Sequence, residues 1–273
     1  MFAVVGTAIG ARPYQEDAYA VCPATRLVAV FDGHGGGAVS KYCAANVVSH
    51  VRGALGSAGE GEPMPSVLMR AFVDMDEGAA RAGAGGPFGH TGCTACVAVC
   101  GADDVWVANA GDSRAVLCID GVVAQLTRDH KPELPDERAR VVGNGGTVAQ
   151  DGYGSWRINS TLNVSRGIGD WHLRPLVVCT PEVTHVRRPR RPFTRAFMVI
   201  GSDGLWDVYS SEGLCRDLCA RLDDGATPQQ AVQRAVNDAV DARPATSDNV
   251  TAAFVHLWRG DAPPTTRIGE RAG

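Results

Sequence analysis

The residues best suited to chemistry in this chain of 273 are carboxylates standing at the ends of apolar runs. Glu16 and Asp17 precede the run 18–22, and Asp32-Gly33-His34 follows the run 27–31. Asp203-Gly204 closes the run 197–200, Asp248 opens the run 250–257, and Asp112 occupies a turn at 109–114. Asp207 lies four residues beyond Asp203. Any one Asp–Gly pair is an ordinary turn. Several carboxylates gathered at one rim, however, repel one another and are driven to neutralise unless a cation sits among them. The donor set is all oxygen, with no His/Cys group at zinc spacing, which favours a hard ion, Mg²⁺ or Mn²⁺. Two such ions bridged by one carboxylate lower the pKa of a bound water and hold a phosphoryl group for in-line attack, which is phosphoester hydrolysis. Arg12 is suited to bidentate binding of phosphate oxygens and His34 to protonating a leaving alkoxide. Their plainer readings are a solvated surface arginine and a turn histidine.

Strands must deliver these groups. Apolar, β-rich runs ending in turns recur at 2–9, 18–22, 27–31, 93–100, 105–110, 115–119, 197–200 and 250–257. If the turn between the second and third runs centres on Ala24 and Thr25, pairing outward sets Asp17 opposite Asp32. A run beginning at Asp248, set antiparallel to a run ending at Asp32 or Asp203, brings its aspartate to the same rim.

Helices pack on this framework. Val39, Tyr42, Cys43, Val47 and Val51 share one helical face, and Leu68, Ala71, Phe72 and Met75 another. Thr227-Pro228-Gln229-Gln230 reads as a capping box with proline at the first helical position, and its apolar face runs through Ala231, Val232, Ala235, Val236, Ala239 and Val240. Strand pairs and helices arriving in separate blocks indicate an α+β fold of antiparallel sheets flanked by helices. The glycine-rich stretches 53–65 and 81–90 read as surface loops within one domain.

Composition narrows the function classes. A 45% hydrophobic content supports a sizeable core, and 26 Lys+Arg against 30 Asp+Glu gives a net charge of -4, without the basic footprint of a nucleic-acid binder. No run approaches the roughly 20 apolar residues of a membrane span, and the opening residues form no basic leader, so a cytoplasmic or nuclear protein is expected. The nine cysteines are odd in number and fall in apolar segments, which suits reduced thiols.

Three local patterns are set aside. Cys215 and Arg221 have the Cys-x5-Arg spacing of a phosphotyrosine phosphatase loop but lack its glycines, and Leu214, Leu218, Cys219 and Leu222 mark an inward helix face. Cys93 and Cys96 fall on opposite faces of a strand, unsuited to zinc or redox work. The basic connection 187–195 reads as a solvated loop in preference to a docking site for acidic partners.

The motifs also occur in a familiar order. Arg12-Pro13-Tyr14-Gln15-Glu16-Asp17, Phe31-Asp32-Gly33-His34-Gly35-Gly36, Gly111-Asp112-Ser113-Arg114, Ser165-Arg166-Gly167-Ile168-Gly169-Asp170, Ser202-Asp203-Gly204-Leu205-Trp206-Asp207 and Ser247-Asp248-Asn249-Val250 follow one another as in the metal-dependent protein phosphatases. The chain resembles the type 2C serine/threonine phosphatases from about Gly6 to Leu257, and Thr127-Arg128-Asp129-His130-Lys131-Pro132 and Thr180-Pro181-Glu182-Val183 agree.

The resemblance implies a central β-sandwich of two mostly antiparallel sheets with helices on both outer faces, four layers in the order αββα, and a binuclear Mn²⁺/Mg²⁺ site at one end. It implies that Asp32 bridges the ions, that the Gly33 carbonyl joins one, that Asp203 and Asp248 hold the other, and that Glu16 and Asp17 contact metal-bound water. Asp112 and Asp207 match positions of a weaker third ion. Arg12 would bind the substrate phosphate, His34 would be the general acid, and a bridging water would be the nucleophile, with no phospho-enzyme. Expected partners are phosphoserine and phosphothreonine proteins acted on by a monomer, with neither nucleic acid nor membrane. A pseudophosphatase binding module and a phosphatase of small phosphoesters are the alternatives. A catalytic domain over 1–260 and a tail over 261–273 are expected, a bare core without a regulatory domain. Ser160 and Asn163 stand where Gly and Ala are commoner in the family, which raises the expectation of an altered backbone there and of altered substrate preference.

Overall fold

The protein is described by a computed structural model over residues 3–84, 86, 89–187 and 193–257. The expected tail 261–273 and Arg188, Arg190 and Arg191 of the basic connection lie outside these residues. Two five-stranded antiparallel sheets form the centre. With strands numbered in chain order, the first sheet runs β13 (Glu182–Arg187), β7 (Asp104–Ala110), β6 (Ala95–Cys100), β3 (Leu27–Phe31), β2 (Ala18–Cys22). The second runs β1 (Ala3–Ala8), β15 (Val250–His256), β14 (Ala196–Gly201), β8 (Arg114–Ile119), β9 (Val122–Gln125).

The central strands are apolar on both faces because both faces are covered. Along β3, Val28 and Val30 join Ala98, Val107, Met198, Ile200 and Val255 between the sheets. The alternate residues Leu27, Ala29 and Phe31 face outward onto α1 (Ala38–Gly56) and α2 (Met64–Arg81). On the far side, Phe197, Val199 and Phe254 pack against α5 (Ser211–Asp223) and α6 (Pro228–Ala242). The result is the expected αββα stack. No helix among the described residues is long and apolar enough to cross a membrane.

Both expected helix faces over α1 and α2 are turned inward, and α6 starts with a capping box in which Thr227 and Gln230 bond reciprocally. Cys215 lies on α5 with Leu214 and Leu218 buried, so this segment is core. Cys93 and Cys96 fall in different clusters on opposite faces, as strand alternation requires.

Several boundaries differ from the sequence reading. The run 93–100 is two strands, β5 (Gly92–Cys93) and β6, broken at Thr94. Thr94 is turned away to bond Asp32, donating its N–H to the Asp32 carbonyl at 2.9 Å and accepting the Asp32 N–H on its hydroxyl at 3.1 Å. The glycine-rich 53–65 is loop only in its middle, since α1 continues to Gly56 and α2 begins at Met64; α2 also includes Arg81. Glycine weakens a helix without ending it when tertiary packing holds the apolar face.

A smaller element lies between the sheets' sequences. It contains α3 (Pro135–Gly143), β10 (Val148–Gln150) and β11 (Trp156–Ile158), closed over its own cluster of Val141, Ile158, Val164 and Val177. Asn159 and Ser160 both adopt left-handed backbone, with φ 48° and 59°. Ser160 therefore holds a backbone conformation that glycine adopts without steric cost, and the serine bears the strain. A non-glycine residue in this region costs about 1–2 kcal/mol, against the ~0.5–1 kcal/mol of extra backbone entropy that glycine loses on folding. Ser160→Gly is thus expected to raise the unfolding free energy by about 0.5 kcal/mol, read as a higher denaturant midpoint at unchanged slope; a lower midpoint would contradict it.

Candidate metal centre

The acidic centre forms where the two sheets open at one rim. In the first sheet the β2–β3 hairpin pairs Ala18 with Phe31 as its last rung, so Asp17 and Asp32 emerge opposite one another, as turn symmetry requires. In the second, β14 pairs antiparallel with β15 through Gly201↔Ala252, so Asp203 leaves one strand on the side where Asp248 enters the other. Ser202 ties the sheets together. Its hydroxyl donates to Asp17 Oδ2 at 2.8 Å and accepts the Thr251 N–H at 2.9 Å.

Asn249 fixes the loop carrying Arg12 and Glu16. Its side-chain oxygen accepts the Glu16 N–H at 2.8 Å, and its amide donates to the carbonyls of Ile9 and Tyr14 at 2.8 and 3.0 Å. Ser40, on α1, donates from its hydroxyl to the Glu16 carbonyl. A Cβ at Gly33 would run into that carbonyl and the Ser40 hydroxyl, so this position admits only glycine.

Among the described residues, Asp32, Asp112 and Asp203 each bring one carboxylate oxygen within 4.8 Å of the others. Asp112 is buried at 2% exposure. Burial raises the Asp32 pKa well above the carboxylate range, reinforced by the charges of Asp203, Asp17, Asp112 and Asp248. Burial, reinforced by the like charge of Asp112 and opposed by Lys131, likewise lifts Asp203 to about 7, and burial lifts Asp17 to about 6. One Asp17 oxygen is buried with no hydrogen-bond partner. A recess of mutually repelling carboxylates with an orphaned oxygen fits a hard divalent cation.

The other expected site residues are distributed around this core. Asp248 lies at the rim in an ion pair with Arg12, Nη2 to Oδ2 at 2.5 Å, the arginine side chain being 54% exposed. Asp207 lies outside the three-carboxylate group and is paired with Arg243 at 3.3 Å. His34 follows Gly33 in β4 (Gly33–His34), which pairs with β5, which in turn pairs with β12 (Ile168–Gly169).

The residue that sequence reading leaves without a role is Asp170, placed against His34 by this small sheet. Its Oδ2 lies 2.7 Å from His34 Nε2, and the residue is 1% exposed. Burial alone would lower the imidazole pKa, but the hydrogen bond and charge of Asp170 outweigh it and raise the value. Asp170 takes a left-handed φ of 50°, and a Cβ at Gly92 would collide with its carboxylate. Strain of this kind is retained where the surroundings over-determine a residue. In sequence it is one more Gly-Asp pair; the only signal was its place at the end of the Ser165–Asp170 motif.

An αββα sandwich with an acidic, cation-fitting centre at one rim is the class that fold and site define. The protein phosphatase 2C family model matches residues 14–250, and the chain belongs to that family. It is 39% identical over 238 residues to probable protein phosphatase 2C 30 of Oryza sativa subsp. japonica, covering 78% of this chain and 58% of that one. It is 40% identical over 210 residues to probable protein phosphatase 2C 75 of Arabidopsis thaliana, covering 68% and 49%. The chain thus spans about half the length of these curated relatives. Among solved structures, a serine-threonine phosphatase 2C from Toxoplasma gondii matches with a TM-score of 0.82 at 24% identity, over 94% of both chains, which shows the shared fold. A C. elegans sex determining protein matches with a TM-score of 0.86 at 25% identity, over 94% of this chain and 65% of that one.

Because the folded Asp17 and Asp203 bind protons more tightly than the unfolded chain's carboxylates, their contribution to stability is fully present below about pH 4 and is lost as pH rises through about 6 to 7. Melts of chelator-treated protein are expected to lose several kcal/mol of stability across that window from these two groups together. Asp203→Asn is expected to flatten the loss and added Mn²⁺ to abolish it. A pH response identical in all three conditions would contradict the assignment.

Proposed function

We propose that this chain is a Mn²⁺- or Mg²⁺-dependent phosphatase that removes phosphate from phosphoserine and phosphothreonine of proteins. The observation that carries this reading is the clustering of Asp32, Asp112 and Asp203 at the rim of a protein phosphatase 2C fold. Divalent ions bound there supply the charge that activates water and steadies the phosphoryl group.

The chain's own residues supply the rest. Asp32, the Gly33 carbonyl, Asp203 and Asp248 would hold the ions, and Glu16 and Asp17 would order the surrounding water. Arg12 is on the exposed side of the centre, and its planar guanidinium suits bidentate contact with phosphate oxygens once it releases Asp248. His34 donates a proton to the leaving alkoxide, and Asp170 holds the imidazole by bonding Nε2.

A phosphopeptide library assayed with and without Mn²⁺ tests reaction, metal and residue preference together. Chelation and Asp203→Asn are each expected to abolish turnover; full activity in either would sink the metal mechanism. Turnover confined to small metabolites would favour the small-phosphoester reading. The role of Asp170 shows in leaving-group dependence. Asp170→Asn is expected to slow phosphoserine peptides by about 10–100-fold, while p-nitrophenyl phosphate, whose leaving group needs no proton, changes by less than about threefold. Equal losses on both substrates would make Asp170 merely structural.

A further inference from the structure

Asp112 has a partner within the chain. The Lys131 ammonium donates directly to Asp112 Oδ2, with the lysine side chain 32% exposed and the carboxylate 3%. The lysine is not a wandering surface chain, because its segment is stitched to the turn that carries Asp112. The His130 N–H donates to the Gly111 carbonyl at 3.0 Å, Asn109 Nδ2 to the Arg128 carbonyl at 3.1 Å, and the Ala115 N–H to the Thr127 hydroxyl at 2.9 Å. Arg114 grips Asp129 through two bonds, at 3.1 and 2.6 Å. The ammonium is thereby held beside a cluster whose three carboxylates approach within 4.8 Å.

Asp207, the other carboxylate matched to a third ion, meets Arg243 only in an exposed contact, the guanidinium donating to its side chain at 3.3 Å and to its carbonyl at 2.6 Å.

We propose that Lys131 is the resident cation of this centre, balancing the charge of Asp112 so that a third divalent ion can use that carboxylate only by competing with the ammonium. The inference rests on the two-ion reading above. It makes Lys131 a positioning and selectivity residue: it lowers the repulsion on Asp32 and Asp203 without occupying their oxygens, and it sets the metal count at two. A fixed cation at hydrogen-bond distance weighs heavily against a second positive charge on the same carboxylate, because a largely buried pair is poorly screened by salt.

Mn²⁺ titration of the full chain, followed by calorimetry and by the electron paramagnetic resonance of free Mn²⁺, tests this without reference to turnover. Wild type is expected to bind two ions. Lys131→Met is expected to add a third binding event, or to tighten the weakest one by about tenfold or more. Asp112→Asn is expected to keep two ions but to bind them about three- to tenfold more weakly, since the ammonium is then left unbalanced beside them. Circular dichroism melts confirm the fold of each variant, and should Lys131→Met not fold, Asp112→Asn decides. An isotherm for Lys131→Met that matches wild type or shows ions lost, or the loss of an ion in Asp112→Asn, overturns the inference while leaving two-ion binding by wild type intact. Wild type binding fewer than two ions overturns the two-ion reading and the inference with it.

Discussion

Repulsion among carboxylates at the open rim of the sandwich is the constraint on which the rest of the site depends. Asp17, Asp32, Asp112 and Asp203 are brought together by strands whose apolar residues are packed on both faces. The sheets cannot slide apart to relieve the charge without exposing that core. The carboxyl groups respond instead by binding protons more tightly, by pairing with internal cations, or by accepting metal. Hydrophobic packing, which knows nothing of chemistry, is what makes the acidic cluster persist.

Small polar residues convert that packing into a defined geometry. Ser202, Thr94, Asn249 and Ser40 each bond a backbone or carboxylate group of the loops bearing Asp17, Asp32 and Glu16. None is charged and none has a reactive role. Charged partners then divide the work: Lys131 balances Asp112, Arg12 meets Asp248 at the exposed rim, and Asp170 holds His34 from the buried side. The smaller element is fixed by a comparable network in which Glu137, 2% exposed, accepts from Arg140, Arg166 and Ser165. Among the described residues, the buried carboxylates Asp76, Asp112, Glu137 and Asp170 are each paired with a basic side chain.

The legible parts of the structure were those governed by local periodicity. Strict symmetry about Ala24 and Thr25 placed Asp17 across from Asp32, and the residues 227–230 marked the start of α6, because a hairpin register and a capping box are settled within a few residues. The family match rested on motif order and brought the layer arrangement with it. The elements that escaped reading were short or polar. β9, β10 and β11 have four residues or fewer, and α3 begins Pro-Asp-Glu-Arg, too charged to show an apolar stripe. The break at Thr94 escaped because nothing in the run 93–100 signals a partner 62 residues earlier in the chain.

Sequence alone therefore set Asp17 across from Asp32 and put Asp203 and Asp248 at strand ends, since turn symmetry and strand limits are properties of neighbouring residues. It also gave the all-oxygen donor set, which is a matter of residue type. Only the tertiary structure decided the pairings: Lys131 with Asp112, Arg243 with Asp207, Asp170 with His34. Each joins segments 19 to 136 residues apart, and at such separations contact follows from how whole sheets and loops dock, which no local pattern encodes.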